Sequence, residues 1–171
     1  MSAVFSPCGL YRYHLRREIV EGGLFVKRAG TMLLGMLNPS IADALANDPT
    51  VRRGIGFAAR ESMAALEVVN MYAYRATDRR KLLTVADPIG PDNDRWIEKA
   101  AATASLIVVA WGAYPYDKLP GGAARAAHVL ALLEKHGHVH CLRRTAGGYP
   151  EHPLYLPADS PLVPFTEGAR P

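Results

Sequence analysis

Four short apolar runs, each closed by a polar residue or a turn signal, set the pattern of the chain: residues 31–37 (TMLLGML), 66–72 (LEVVNMY), 106–111 (LIVVAW) and 139–142 (VHCL). A nearly continuous apolar run of this length is what a strand buried on both faces requires, since neither side is left for water. Ahead of them, residues 10–19 alternate apolar and polar positions, and Glu21-Gly22-Gly23 supplies a turn. That alternation predicts an N-terminal edge strand or hairpin whose polar face carries Arg12, His14 and Arg16.

Between the runs the spacing changes to that of helices. Residues 51–65, 94–104 and 122–136 repeat apolar positions three and four apart, as with Trp96, Ile97, Ala100, Ala101 and Ala104, or Ala126, Val129, Leu130 and Leu133. Asp92 or Asn93 is placed to cap the second helix, and Gly137 to end the third. Strands alternating with helices predict parallel pairing through right-handed crossovers. The expected fold is a three-layer α/β/α sandwich with a short, mainly parallel central sheet. No repeat or linker divides the sequence, so residues 1–171 are expected to form one domain, with 1–9 and 158–171 flexible and the tail from Pro157 lacking periodicity.

Composition excludes little else. Hydrophobic residues at 49% and charged residues at 21% are globular values, and no apolar run is long enough to span a bilayer. No membrane partner is expected, and without a signal-like N-terminal segment a cytoplasmic location follows, with the chain expected to be a monomer. Cys8 and Cys141 lack metal-site spacing, and His136, His138 and His140 alternate without an accompanying carboxylate, so neither metal nor other cofactor is expected. Charge adds a direction: the net formal charge is +4, and arginines come in pairs at 16–17, 52–53, 79–80 and 143–144. Such pairs suit a polyanion, or simply a solvated face.

Ligands of open parallel sheets collect at the carboxyl ends of the strands, and there the chain concentrates polar groups. After the first run come Asn38-Pro39-Ser40, Asp43 and Asp48. The Asn-Pro pair fixes the direction of the Asn38 side chain, or only shapes the turn, while Asp48 either serves the site or caps a helix. Asn70 lies inside the second run, where an unpaired amide would cost about 1–3 kcal/mol. It therefore either braces a loop or reads a planar ligand edge with its donor and acceptor. Trp111-Gly112 ends the third run as a packing wall or as core. In the Gly- and Pro-rich segment 145–155, His152 is the candidate proton donor or stabiliser of negative charge.

The segments Leu37-Asn38-Pro39-Ser40-Ile41-Ala42-Asp43, Asp48-Pro49-Thr50, Val69-Asn70-Met71-Tyr72-Ala73-Tyr74-Arg75-Ala76-Thr77, Pro88-Ile89-Gly90-Pro91-Asp92-Asn93-Asp94, Ala110-Trp111-Gly112 and His152-Pro153-Leu154-Tyr155-Leu156 together resemble the signature of a bacterial and phage family, the domain of unknown function numbered 1643. More distantly, their order resembles the uracil-DNA glycosylase superfamily, in its mismatch-specific thymine and uracil branch. There a Gly-Ile-Asn-Pro-Gly motif is comparable with Met36-Leu37-Asn38-Pro39-Ser40, a Thr-Asn-Met motif with Val69-Asn70-Met71, and a His-Pro-Ser-Pro-Leu loop with His152-Pro153-Leu154. Ser40 stands where that branch has glycine, and the Ser-Pro portion of the loop is missing.

The second resemblance implies a uracil-DNA-glycosylase-like fold and an N-glycosidase acting on a flipped, modified or deaminated base in DNA. Asn38 would orient the attacking water and His152 would stabilise the departing base anion. The implied substrate surface comprises Pro39, Ser40, Asp43, Asn70, Tyr72, Arg75, Thr77, Trp111 and Leu154, with Asn70 on the base edge and Leu154 as a wedge. Arg52, Arg53, Arg143 and Arg144 would lie near phosphates. The alternatives are an enzyme of free nucleotides or nucleosides, and a non-catalytic module that binds nucleic acid or nucleotide.

Overall fold

The computed structural model describes residues 1–20, 27–40, 42 and 45–166. Seven strands form one mixed sheet. They are β1 (Ser2–Phe5), β2 (Arg12–Glu18), β3 (Thr31–Met36), β4 (Ala65–Asn70), β5 (Leu106–Val109), β6 (Val139–Cys141) and β7 (Val163–Pro164), in the order β1-β2-β4-β3-β5-β6-β7. The four apolar runs are the parallel centre, β4-β3-β5-β6, and antiparallel strands flank it on both sides. The α/β class is as expected. The sheet is not short, because three flanking strands extend it.

Four α-helices cover both faces among the described residues: α1 (Pro49–Arg60), α2 (Asn93–Ala101), α3 (Tyr114–Lys118) and α4 (Gly122–Glu134). Alternation along the strands divides the interior. Met32, Leu34, Met36, Leu66, Val68 and Val108 pack with Val51, Phe57 and Ala58 of α1, whereas Leu33, Val69, Ile107 and Val109 pack with Ile97, Ala100, Val129 and Leu133 of α2 and α4. The chain thus winds from β3 outward over one face to β4, then back over the other face to β5. β3 and β5 are neighbours whose connections leave in opposite directions, so a crevice opens at their carboxyl ends.

Several local expectations are corrected. Of the N-terminal edge strand or hairpin expected, the hairpin is found: β2 is not itself the edge, since β1 pairs antiparallel outside it, with Ala3 opposite Leu15. Arg12, expected on a solvated face, is only 2% exposed. Alternation alone does not separate a wet face from one covered by a neighbouring loop. α1 stops at Arg60 because Ser62 adopts φ 57°, a left-handed conformation that no helix continues through. Neither candidate cap of α2 makes a side-chain capping bond to that helix: Asp92 holds the position without one, and Asn93 turns its amide onto β4. The helix from Gly122 ends with Lys135 as its cap, before Gly137. The tail supplies β7 and buries Phe165 against Trp111, with ring centroids 6.3 Å apart. The turn expected at Glu21-Gly22-Gly23 lies outside the described residues.

Candidate active site at the carboxyl ends of the parallel strands

A pocket of about 270 Å³ opens in the crevice between the ends of β3 and β5. Register brings its walls level: Met36 pairs with Asn70, and Gly35 with Val109. The chain leaving β3 then presents Asn38, the end of β4 presents Asn70, and the chain leaving β5 presents Trp111 and Gly112. His152 reaches the same pocket from the loop after β6.

Asn38 is fixed through its donors. Its Nδ2 donates to the carbonyls of Pro39, at 3.0 Å, and Ala76, at 2.8 Å, tying the turn after β3 to the segment after β4. With both amide protons engaged by backbone, Oδ1 is what Asn38 offers a ligand: an acceptor of fixed direction.

Asn70 is held differently. It is 1% exposed, and neither Oδ1 nor Nδ2 has a hydrogen-bond partner among the described residues. Its backbone, by contrast, is clamped: the Asn93 amide donates to the carbonyls of Asn70 and Met71, each at 3.0 Å, and Arg125 Nε donates to Met71 at 2.9 Å. Arg125 is in turn held 2.7 Å from Asp94 at the start of α2. A rigid mount carries an amide whose donor and acceptor are both unmet, against a cost of about 1–3 kcal/mol.

His152 is oriented by its own loop. Its Nδ1 accepts from the backbone N–H of Leu154 at 3.3 Å, which assigns the proton of the neutral ring to Nε2. Burial, then the nearby Arg79 cation, push its pKa below the ordinary histidine value, against an opposing pull from Asp48. The ring is therefore neutral at pH 7 and donates from Nε2. Its loop is anchored twice. Gly112 N–H donates to Pro150 at 2.8 Å, and Arg53 donates to the Leu156 carbonyl and, at 3.5 Å, to that of Pro153, flanking the 3-10 turn Pro153–Tyr155. Gly112 sits at φ 76°, where a side chain would strain the turn that hands β5 to the pocket.

Of the residues expected to line a site, Asn38, Ser40, Asn70, Thr77, Trp111 and His152 meet here. Trp111 lines it while its indole is buried at 1% exposure and donates to Tyr116 Oη at 3.2 Å, so it is also core. Pro39 is buried, and its carbonyl accepts from Asn38 and Ala76. Tyr72 lies in the core against α2 and α4, its hydroxyl pKa raised by burial. Arg75 opens onto an adjoining shallow cavity with Gly9 and Leu10, and its guanidinium lies 4.7 Å over Phe5. Leu154 is partly exposed on the 3-10 turn. Asp43 lies outside the described residues.

The arginines expected near phosphates divide. Arg52 is exposed on α1. Arg53 braces the histidine loop, Arg143 is paired with Glu151 at 2.6 Å, and Arg144 donates to the carbonyls of Pro164 and Thr166. The last three hold their own chain together.

Sequence reasoning did not place Arg12, Thr50, Arg79, Tyr114 or Tyr155 in the wall, and left the role of Asp48 open. Asp48 is buried and caps α1, its Oδ1 accepting from Val51 N–H at 2.8 Å. Arg79 lies 4.4 Å over the Tyr114 ring. Asp48-Pro49 was a legible helix start, but no periodicity marks a residue that folds in from a distant loop. Among the described residues no group of three or more His, Cys, Asp or Glu is placed to hold a metal. His136, His138 and His140 border a separate cavity beside Phe165. No described helix is long and apolar enough to cross a membrane.

Comparison with curated proteins and with solved structures finds no match. Residues 12–154 match the family described as "Protein of unknown function (DUF1643)", a span that holds every described pocket-wall residue except Tyr155. The chain belongs to that family.

Proposed function

We propose that the pocket receives a nucleobase flipped from a DNA strand and hydrolyses its bond to the sugar, in a uracil-DNA-glycosylase-like three-layer α/β/α fold. The observation that carries this reading is the unpartnered Asn70 amide in a pocket it shares with Asn38 and a neutral His152. An amide with both halves unmet is complementary to the adjacent donor and acceptor of a base edge. The strand order β4-β3-β5-β6 and helices on both faces support the same fold reading.

The chemistry follows from the groups present. The C1′–N bond breaks with its electron pair passing to the base, whose developing negative charge lies against the His152 Nε2–H donor. Water held by Asn38 Oδ1 adds to C1′, and Asp48, the one carboxylate among the described wall residues, takes its proton. The base anion is protonated by solvent on release. Arg79, exposed in the pocket wall, and Arg52, exposed on α1, would meet phosphate, and Tyr155 of the wall, with Leu154 beside it on the 3-10 turn, would flank the bound base.

The test is the appearance of alkali-labile abasic sites in oligonucleotides carrying normal, deaminated and phage-type modified bases. The wild type is expected to produce them with at least one base, and His152→Ala to slow this by about 100-fold to 1,000-fold, the range for losing one donor to a developing anion. A folded wild type that makes no abasic site across the panel contradicts the reading. Turnover of free nucleosides alone, without salt-dependent DNA binding, moves the activity to free nucleotides or nucleosides.

A further inference from the structure

Arg12 is the charged group of the pocket wall to which base hydrolysis assigns no task. It is 2% exposed, its Nη1 donates to the Ala42 carbonyl at 2.8 Å, and its Nε is buried with no partner among the described residues. Burial lowers its pKa to about 10, opposed by Asp48, so it stays a cation at neutral pH. A guanidinium carries five donors, and burying it with one of them unmet is costly unless an acceptor arrives.

Position says which part of a ligand it meets. Arg12 enters from β2 and His152 from beyond β5, at opposite ends of the span β2-β4-β3-β5, with Asn70 between them on β4. The described wall holds two cations, Arg12 and Arg79, against the single carboxylate of Asp48. With Arg79 given to phosphate, a neutral base would still leave the buried Arg12 Nε donor unmet.

We propose that the base this pocket selects carries an anionic substituent, of which a carboxylate is the simplest, paired with Arg12 while Asn70 reads the ring edge. This rests on the base-pocket reading above and adds the substrate's charge to it. Asn70 fixes which ring is accepted, and Arg12 which substituent.

Binding of free compounds separates this inference from the reading beneath it. Thymine, 5-carboxyuracil and 6-carboxyuracil are titrated calorimetrically at pH 7 into wild type, Arg12→Gln and Arg12→Lys, with folding checked by circular dichroism. The expected result is one carboxylated base binding the wild type about tenfold or more tighter than thymine, as for a charge-assisted bond. That preference is absent in Arg12→Gln and partly kept in Arg12→Lys. Equal affinity for all three, or a preference that survives Arg12→Gln, overturns the substituent assignment and leaves the base pocket standing. An Arg12-dependent gain for uridine 5′-monophosphate over uridine, with none for the carboxylated bases, also overturns it by placing the anion on a phosphate. No binding of any base overturns both.

Discussion

Asp48 joins two tasks that one substitution separates. As the cap of α1 its Oδ1 holds Val51 N–H, and asparagine caps equally well. Asp48→Asn is therefore expected to unfold within a few tenths of a kcal/mol of wild type, and Asp48→Ala to lose about 1 kcal/mol in urea denaturation. Both are expected to lose most base release, because neither accepts the proton of water. Full activity in Asp48→Asn would leave the residue a cap alone. His152 gives a pH signature. Its pKa is lowered on folding, so the unfolded chain takes up a proton the folded chain resists, and this group's contribution to stability falls as pH drops through about 6.5. Between pH 7.5 and 5.5 the wild type is expected to lose more unfolding free energy than His152→Gln; identical losses contradict the burial argument. At this scale the chain was partly readable. Asn38, Asn70 and His152 stood out because amides and a histidine at strand ends have few reasons to be there. Arg12 did not, because an arginine in an alternating segment looks the same whether it meets water or, as here, the Ala42 carbonyl in a buried setting.

The elements show how the site is kept in register. Asn93 at the start of α2 and Arg125 on α4 grip the end of β4 from behind, and neither touches the pocket. Asn93→Ala removes the amide donor from two buried carbonyls and is expected to cost about 1–3 kcal/mol of stability. It is also expected to raise KM for DNA more than it lowers kcat, since Asn70 would lose its mount; the variant is checked by steady-state kinetics and urea unfolding. The approach of α3 to α4 depends on Gly122, where a Cβ would meet the Pro115 carbonyl oxygen directly. Gly122→Ala is accordingly expected to separate the two helices and lower Tm. The long strands and helices were legible because burial on both faces and helical spacing leave a mark on sequence. α3, the 3-10 turns, β1 and β7 are too short to show a period, and pairing partners decide them.

At the scale of the molecule, the carboxyl ends of the parallel strands form a switch point; the sequence pointed to the strand ends, while the spatial order that creates the switch between β3 and β5 is set by pairing. Of the flanking antiparallel strands that make the sheet seven strands wide, β2 showed in the alternation of residues 10–19, whereas β1 and β7 came from segments without strong patterning at either end of the chain. Charge is also reassigned. Arg53, Arg143 and Arg144 bind their own chain, so the salt dependence of DNA binding is expected to come from Arg52 and Arg79. Arg79→Gln is expected to reduce the slope of log K against log salt by about 1, and Arg143→Gln to leave it unchanged, as read by fluorescence anisotropy. Hydrolysis at the pocket where Asn38, Asn70 and His152 meet is read by mass spectrometry of the small molecules released from DNA. Wild type is expected to release a free base, and Asn70→Ala and His152→Ala to release it about 100-fold or more slower; intact DNA with nothing released by the folded wild type, whatever base is offered, would contradict hydrolysis at this pocket.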